Sequence, residues 1–448
     1  MKPAPSAAES HRWFPGYTVV GAATVAYIAS APGQTFVVSQ LNGPLREAFG
    51  IGELTLNTSY ALATVLASIP LVLVGKWTDR FGPRKAMAGV ALAFGFACLV
   101  LSAVTGFWGV VLAFFLLRFT GQGALTMVSQ HATAMWFHRR LGAIHGIKQV
   151  VIFTVWIAFP QIALWLIQSV GWRQTYVIFA GLIWVGVIPM ALLAVRDRPE
   201  DLGLRMDGDA PRPDVDRVGG ISAESAPGGL SQPADPSAQA RAADSAASLA
   251  EPRFTLHQAI RTRAYWILAG VVFLSPLVGT AFLFDMQPIL ALRGLGPGSA
   301  ALVVSSWTAG MALAAIPAGQ LTDRVRPSVV LTLGMAAIAL SSVLLWWAPG
   351  TVPAAGAMVV FAAGQTLAAT SSTATIARYF GRTHHGAIRS SLIRIGVVGT
   401  GLGPIFTGLS ADRTGGYLAS TVVFVGMAGA VGLSTLALRA PRAAGSEV

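Results

Sequence analysis

Cysteine is nearly absent from these 448 residues, and the single Cys98 excludes an intramolecular disulfide or a cysteine-based metal cluster. Charge is scarce as well. Only 11% of residues are charged, whereas ordinary soluble domains carry roughly a quarter. With 54% hydrophobic residues and a mean hydropathy of +0.63, the chain holds more apolar surface than a soluble fold could bury. Acidic residues number 19 against 31 Lys and Arg, for a formal charge of +12. The basic residues fall between apolar runs and form no stripe interleaved with stacking aromatics, so nucleic acid is not an expected partner. No serine, histidine and carboxylate group, metal-ligand spacing or phosphate loop lies at a plausible depth. The expectation is therefore a non-enzyme with no cofactor and no resident metal.

What is present is a series of long apolar runs. A membrane-spanning helix needs about 20 mostly apolar residues, and the runs predict spans near 17–40, 54–75, 86–105, 107–135, 142–169 and 174–195. Six more are expected near 264–290, 298–320, 328–347, 352–378, 386–411 and 417–438. These group as an N-terminal six-helix bundle (17–195) and a C-terminal six-helix bundle (264–438), the fold class being an all-α membrane protein in the lipid bilayer. Residues 1–16 form a short lead with no cleavable-signal pattern, and 439–448 a tail.

The connection 196–263 is polar. Residues 207–252 are rich in Pro, Gly, Ala, Ser and Asp and lack apolar periodicity, which predicts a disordered linker. Residues 253–263 read as a short amphipathic helix on the membrane surface. With the N-terminus in the cytoplasm, outward loops hold only Arg46, Arg173, Arg293 and Arg413. The inward ones hold Lys76, Arg80, Arg84, Lys85, Arg139, Arg140, Arg324, Arg326, Arg378 and Arg382. The positive-inside rule then puts both termini in the cytoplasm, and the expected location is the cytoplasmic (inner) membrane, multi-pass.

The halves repeat. Pro32, Pro44, Pro83 and Pro160 recur 244 residues later as Pro276, Pro288, Pro327 and Pro404, and Gly75-Lys-Trp-Thr-Asp79-Arg80 recurs as Gly319-Gln-Leu-Thr-Asp323-Arg324. Six spans per half means both halves start on the same side, so they are parallel repeats with a cavity expected between them. The loop Gly75 to Lys85 resembles the signature between helices two and three of the major facilitator superfamily, with a second copy at Gly319 to Pro327. Arg118-Phe-Thr-Gly-Gln-Gly-Ala124 and Gly399-Thr-Gly-Leu-Gly-Pro404 resemble further motifs of that family. The stretches Arg196 to Leu204 and Thr255 to Trp266 look like its monocarboxylate and oxalate:formate antiporter branch.

The resemblance implies a secondary transporter working by alternating access. It also implies that Asp79, Arg80 and Arg84, with Asp323 and Arg324 in the second copy, form a cytoplasmic gate. In the oxalate:formate antiporters a basic residue of span eleven takes a substrate carboxylate, a place that Arg394 resembles.

Charge buried in hydrocarbon costs at least a few kcal/mol, which makes each intramembrane ion a functional candidate. Arg118 sits near the midplane of span four, with Gln122 one helical turn on; it is either a cavity cation or a structural arginine. Arg394 corresponds by the repeat to Val150, so symmetry does not require a cation there; snorkelling to the interface is its other reading. Lys148 in span five snorkels more readily. Gln34, Asn57, Tyr60 and Gln365 are candidates for hydrogen bonds to a polar ligand or to neighbouring helices. Asp285 is the main acidic candidate for a coupling proton, the commoner reading being an interfacial carboxylate.

Together these residues predict a monomeric transporter of a small organic anion, a mono- or dicarboxylate, with Arg118 and Arg394 neutralising it from opposite halves. A carrier of a neutral or cationic compound is the alternative, and a membrane sensor that transports nothing is a third reading. Uniport, proton symport and exchange all stay open.

Overall fold

The computed structural model describes residues 14–137, 140–202, 204, 206–208, 254–381 and 385–441. The expected linker lies almost wholly outside these residues, as do the N-terminal lead and most of the tail. Among the described residues there is no strand, and nine helical stretches are long and apolar enough to cross a membrane. Two of the nine run past a glycine in the left-handed φ region, Gly82 (φ 82°) and Gly171 (φ 80°), where the chain reverses, so each supplies two passes. The first pass adds one more and makes twelve.

That first pass is broken. Pro15–Ile28 ends in a 3-10 turn, Ala31–Gly33, and resumes at Thr35–Val38 after an extended Gln34. Pro32 removes a backbone donor and sets the break. The second pass runs from Glu53–Ser68 to residue 81, and the third covers 83–102. The fourth comprises Phe107–Leu117, a π-helical stretch Arg118–Leu125, and Thr126–Ala134. The fifth starts as Leu141–Trp156 and the sixth ends at Ala194.

The C-terminal bundle holds Arg263–Phe284 with Met286–Ala291, then Pro297–Arg324, Pro327–Trp347, Thr351–Phe380, His385–Thr414 and Leu418–Leu436 as passes seven to twelve. Of the expected surface helix, Leu256–Ile260 is helical, started by a capping box in which Thr255 and Gln258 satisfy each other's backbone N–H groups.

Two packing devices position the site. Glycines of the eleventh pass let it lie directly on the seventh: a Cβ on Gly399 or Gly403 would stand 2.2 Å from Phe273 O or 2.1 Å from Leu277 O, a contact only glycine allows. At the turn after the second pass, a Cβ on Gly82 would sit 2.3 Å from Asp197 Oδ1, and the same carboxylate accepts the Arg84 N–H at 2.9 Å. Asp197 thus caps the third helix and fixes the signature loop to the chain leaving the sixth.

The loop arginines away from the chain termini also have structural work. Arg173 donates to Ser102 O and Val104 O, and Arg293 to Leu345 O and Trp346 O. Each caps the last carbonyls of a helix, the third and the ninth, where a cation suits the helix dipole.

Candidate functional site

The bundles are joined on the side opposite the chain termini. Asp285, with 0% exposure, leaves the seventh pass and accepts hydrogen bonds from Asn42 Nδ2 at 3.1 Å, Asn57 Nδ2 at 2.8 Å and the Thr407 hydroxyl. Asn57 also donates to Pro404 O at 2.8 Å, and Gln287 Nε2 donates to Gln40 Oε1 at 2.8 Å. Outside this knot the Tyr417 hydroxyl donates to Glu53, which pairs with Arg46 at 3.1 Å. Asn42, Asn57, Gln40 and Glu53 belong to the first bundle; Asp285, Gln287, Thr407 and Tyr417 belong to the second. Among the described residues, every hydrogen bond between bundles lies on this side.

On the terminus side the bundles part. Asp79 reaches His131 at 3.9 Å and Asp323 reaches Arg378 at 3.5 Å, each within its own bundle. Arg80 lies over Phe81, and Arg324 is exposed. A cavity of about 490 Å³ stands open between them. Its wall comes from the second bundle, with Ser275 of the seventh pass, Trp307 and Met311 of the eighth, Gln365, Ser372 and Thr373 of the tenth, and Arg389, Ile393 and Thr400 of the eleventh. From the first bundle, Phe153 faces it. Trp307 of this wall packs against Phe36 of the first bundle, with ring centroids 6.3 Å apart, and the Phe36 ring lies 4.9 Å from Trp156.

The cations expected to share one hollow do not share this one. Arg118 is 5% exposed and is held within the first bundle: Nε donates to Thr64 Oγ1 and NH1 to Thr35 Oγ1, both at 3.1 Å, while its guanidinium stacks over Tyr60 at 4.9 Å. It has no carboxylate partner among the described residues. Arg118 is not part of the cavity wall; its partner Thr35 precedes Phe36, the ring that packs against Trp307. The π-helical turn at Arg118, a feature frequent at functional sites, leaves the Gln122 Oε1 buried without a donor.

Arg394 is exposed and is not part of the cavity wall. Gly401, seven residues on, packs against Ala61 and Val65 of the second pass. Two helical turns put Arg394 on that same flank, beside the seam between the second and eleventh passes. Lys148 is 2% exposed, and its ammonium donates to Ser129 O, Ser129 Oγ and Thr133 Oγ1 at 3.0, 2.8 and 3.1 Å. It does not snorkel.

Gln34 donates to Ser30 Oγ at 3.0 Å, Tyr60 and Thr35 share a hydrogen bond of 2.8 Å, and Gln365 accepts from Trp307 Nε1 at 3.0 Å. Asp285, read from sequence as a coupling-proton candidate or an interfacial carboxylate near the outer mouth, lies on that side and is fully buried. Arg389, Phe153, Trp307, Met311 and Thr407 were not among the residues singled out from sequence. Arg389 carried a signal: it is the repeat partner of His145, 244 residues earlier, and the two are electrostatic neighbours across the bundles.

Twelve passes in two parallel bundles, a cavity between them, and a seal at one end only form the framework of a carrier. The Major Facilitator Superfamily model matches residues 23–296 and 268–447. The chain belongs to the major facilitator superfamily. It is accordingly a multi-pass membrane transporter, not an enzyme. Among curated proteins it is similar to the probable sulfoacetate transporter SauU of Cupriavidus necator, 24% identical over 160 residues, a match spanning 35% of this chain and 36% of that relative.

Among solved structures it is similar to the D-xylose–proton symporter, with TM-score 0.67, 15% identity, and 94% and 97% of the two chains covered. It is also similar to a bacterial homologue of the human lysosomal transporter Spinster in its inward-facing, unoccupied conformation, with TM-score 0.62, 14% identity, and coverage of 95% and 94%. At these identities the superfamily's shared fold is what the likeness shows.

Proposed function

We propose that this transporter carries an organic anion of the carboxylate class across the cytoplasmic membrane, and that both termini lie in the cytoplasm, so that the open cavity faces inward. The observation that carries the reading is charge. Of the residues lining the cavity, Arg389 alone bears a formal charge, and behind the walls Arg118 and Lys148 are buried with no carboxylate partner among the described residues. A guanidinium offers a carboxylate two parallel donors, and an anion entering this field replaces the missing counter-charge. The resemblance to a probable sulfoacetate transporter supports the same sign.

In this reading Arg389 meets the anion first. Arg118, with Gln122, Tyr60 and Gln34 around it, takes over when the bundles rock and the Phe36 turn moves. Lys148 fixes the fourth and fifth passes together and adds positive potential. Arg394 acts at the seam. Asp285, held by Asn42 and Asn57, is the outer lock and the coupling group; Asp79, Arg80, Arg84, Asp323 and Arg324 form the inner gate when the terminus side closes. Gln365 orients Trp307. The working unit is a monomer, with protons as candidate co-substrate.

The test is uptake into proteoliposomes, competed by a panel of carboxylates and a matched panel of amines. Carboxylates compete, and Arg118→Gln or Arg389→Gln lowers uptake while the protein remains folded. Competition by amines alone, with both variants fully active, overturns the proposal.

A further inference from the structure

We propose that the cavity is built for a monoanion with an apolar, aromatic-sized body rather than for a compact dianion. The inference rests on the anion reading above and narrows its substrate class. The argument follows from which polar atoms of the wall are available to a ligand. Trp307 Nε1 is bonded to Gln365 Oε1 at 3.0 Å, and Gln365 Nε2 reaches Ser275 O at 3.4 Å. The hydroxyls of Thr373 and Thr400 bond back to Ala369 O and Gly396 O, 2.9 and 3.0 Å away in their own helices.

Few groups remain. Arg389 has no hydrogen-bond or ion-pair partner among the described residues, and the Ser372 hydroxyl, in a residue 2% exposed, is buried with no partner at all. With the Ser275 hydroxyl, also of the wall, one charge and two neutral hydroxyls therefore face a ligand, which provides for one anionic head group. No second cation lines the wall to meet another anionic end.

The rest of the wall fits a carbon skeleton. Phe153, Trp307, Met311 and Ile393 face the space, and at about 490 Å³ it lies in the range of pockets that enclose drug-sized ligands with a few placed polar groups. Trp307, its N–H already bonded, offers its ring face; Met311 adds a polarisable side chain suited to an aromatic ring.

Isothermal titration of the purified transporter with phenylacetate, oxalate and phenethylamine tests this. Phenylacetate binds, and oxalate binds at least tenfold more weakly. Arg389→Gln weakens phenylacetate by about ten- to a hundredfold, the loss of one charge-assisted pair, while Arg389→Lys recovers part of it. Trp307→Ala weakens phenylacetate and leaves any residual oxalate binding unchanged. Because Arg389 is exposed, its variants fold; an unchanged melting temperature verifies that. Oxalate binding as tightly as phenylacetate overturns the inference and leaves the anion reading standing, whereas binding of phenethylamine without phenylacetate overturns both. Failure of phenylacetate to bind overturns the inference as well.

Discussion

Removing the Asn57 side chain should throw the outer lock open. Asn57 donates to Asp285 Oδ2 and to Pro404 O, both at 2.8 Å, and its own residue is fully buried. Asn57→Leu keeps the volume and deletes both donors. A hydrogen bond to a charged group contributes about 1.5–3 kcal/mol and a neutral one about 0.5–1.5 kcal/mol. The closed outer contact therefore loses about 2–4 kcal/mol, which is roughly 30- to 1000-fold in the equilibrium between the two faces.

The assay is the distance between spin labels at Ala48→Cys, in the exposed end of the helix Asn42–Phe49, and Leu292→Cys, just past Met286–Ala291 on the opposite bundle, in a Cys98→Ser background. In the parent one short distance dominates; in Asn57→Leu a longer one becomes the major population. Asn57→Asp places a second carboxyl against Asp285 and should widen the outer side at least as far. An unchanged distance distribution in both variants would refute the assignment of this knot as the element that holds the outer side shut.

Further outcomes follow from other sites. Lys148→Met should weaken anion affinity by about three- to tenfold through the loss of its positive potential, while Ser129 and Thr133 keep partners of their own and the bundle stays folded; titration beside Arg389→Gln checks it. Gly82→Ala puts a Cβ in a left-handed φ position and against Asp197, so a thermal unfolding scan should show destabilisation of about 1 kcal/mol or more. Deletion of residues 210–250, read from sequence as a tether, should leave initial uptake rates within about twofold, since closure entropy changes only slowly with the length of a connection.

The passes were legible because the bilayer demands long apolar runs, whereas the break at Pro32 inside the expected span 17–40 was not read from sequence, although its cause, a missing backbone donor, is local. Nor was the rotation of the passes. Arg389 and Arg394 differ by five residues, about 140° around a helix at 100° per residue, so one lines the cavity and the other the seam. In a soluble protein an apolar stripe would have told them apart; here lipid and bundle interior are equally apolar, and the stripe vanishes.

The position of Asp285 near the outer mouth was legible, but its surroundings were not, for a related reason. Its depth could be counted along the seventh pass, but its burial depends on Asn42, Asn57 and Thr407, which arrive from three other helices. The repeat offers a partial remedy, since one pair equivalent under it, His145 and Arg389, lies close enough across the bundles to interact electrostatically.

The glycines of the eleventh pass have a mechanical consequence. Gly399 and Gly403 weld it to the seventh with backbone against backbone, whereas Gly401 and Gly408 rest on Ala61, Val65 and Leu54 of the second pass in the opposite bundle. One face of the helix is thus a joint and the other a bearing. The plank that carries Arg389 travels with its own bundle, and any see-saw of the whole carrier must roll along the smooth edge made by Gly401 and Gly408, where a single added methyl group would act as grit.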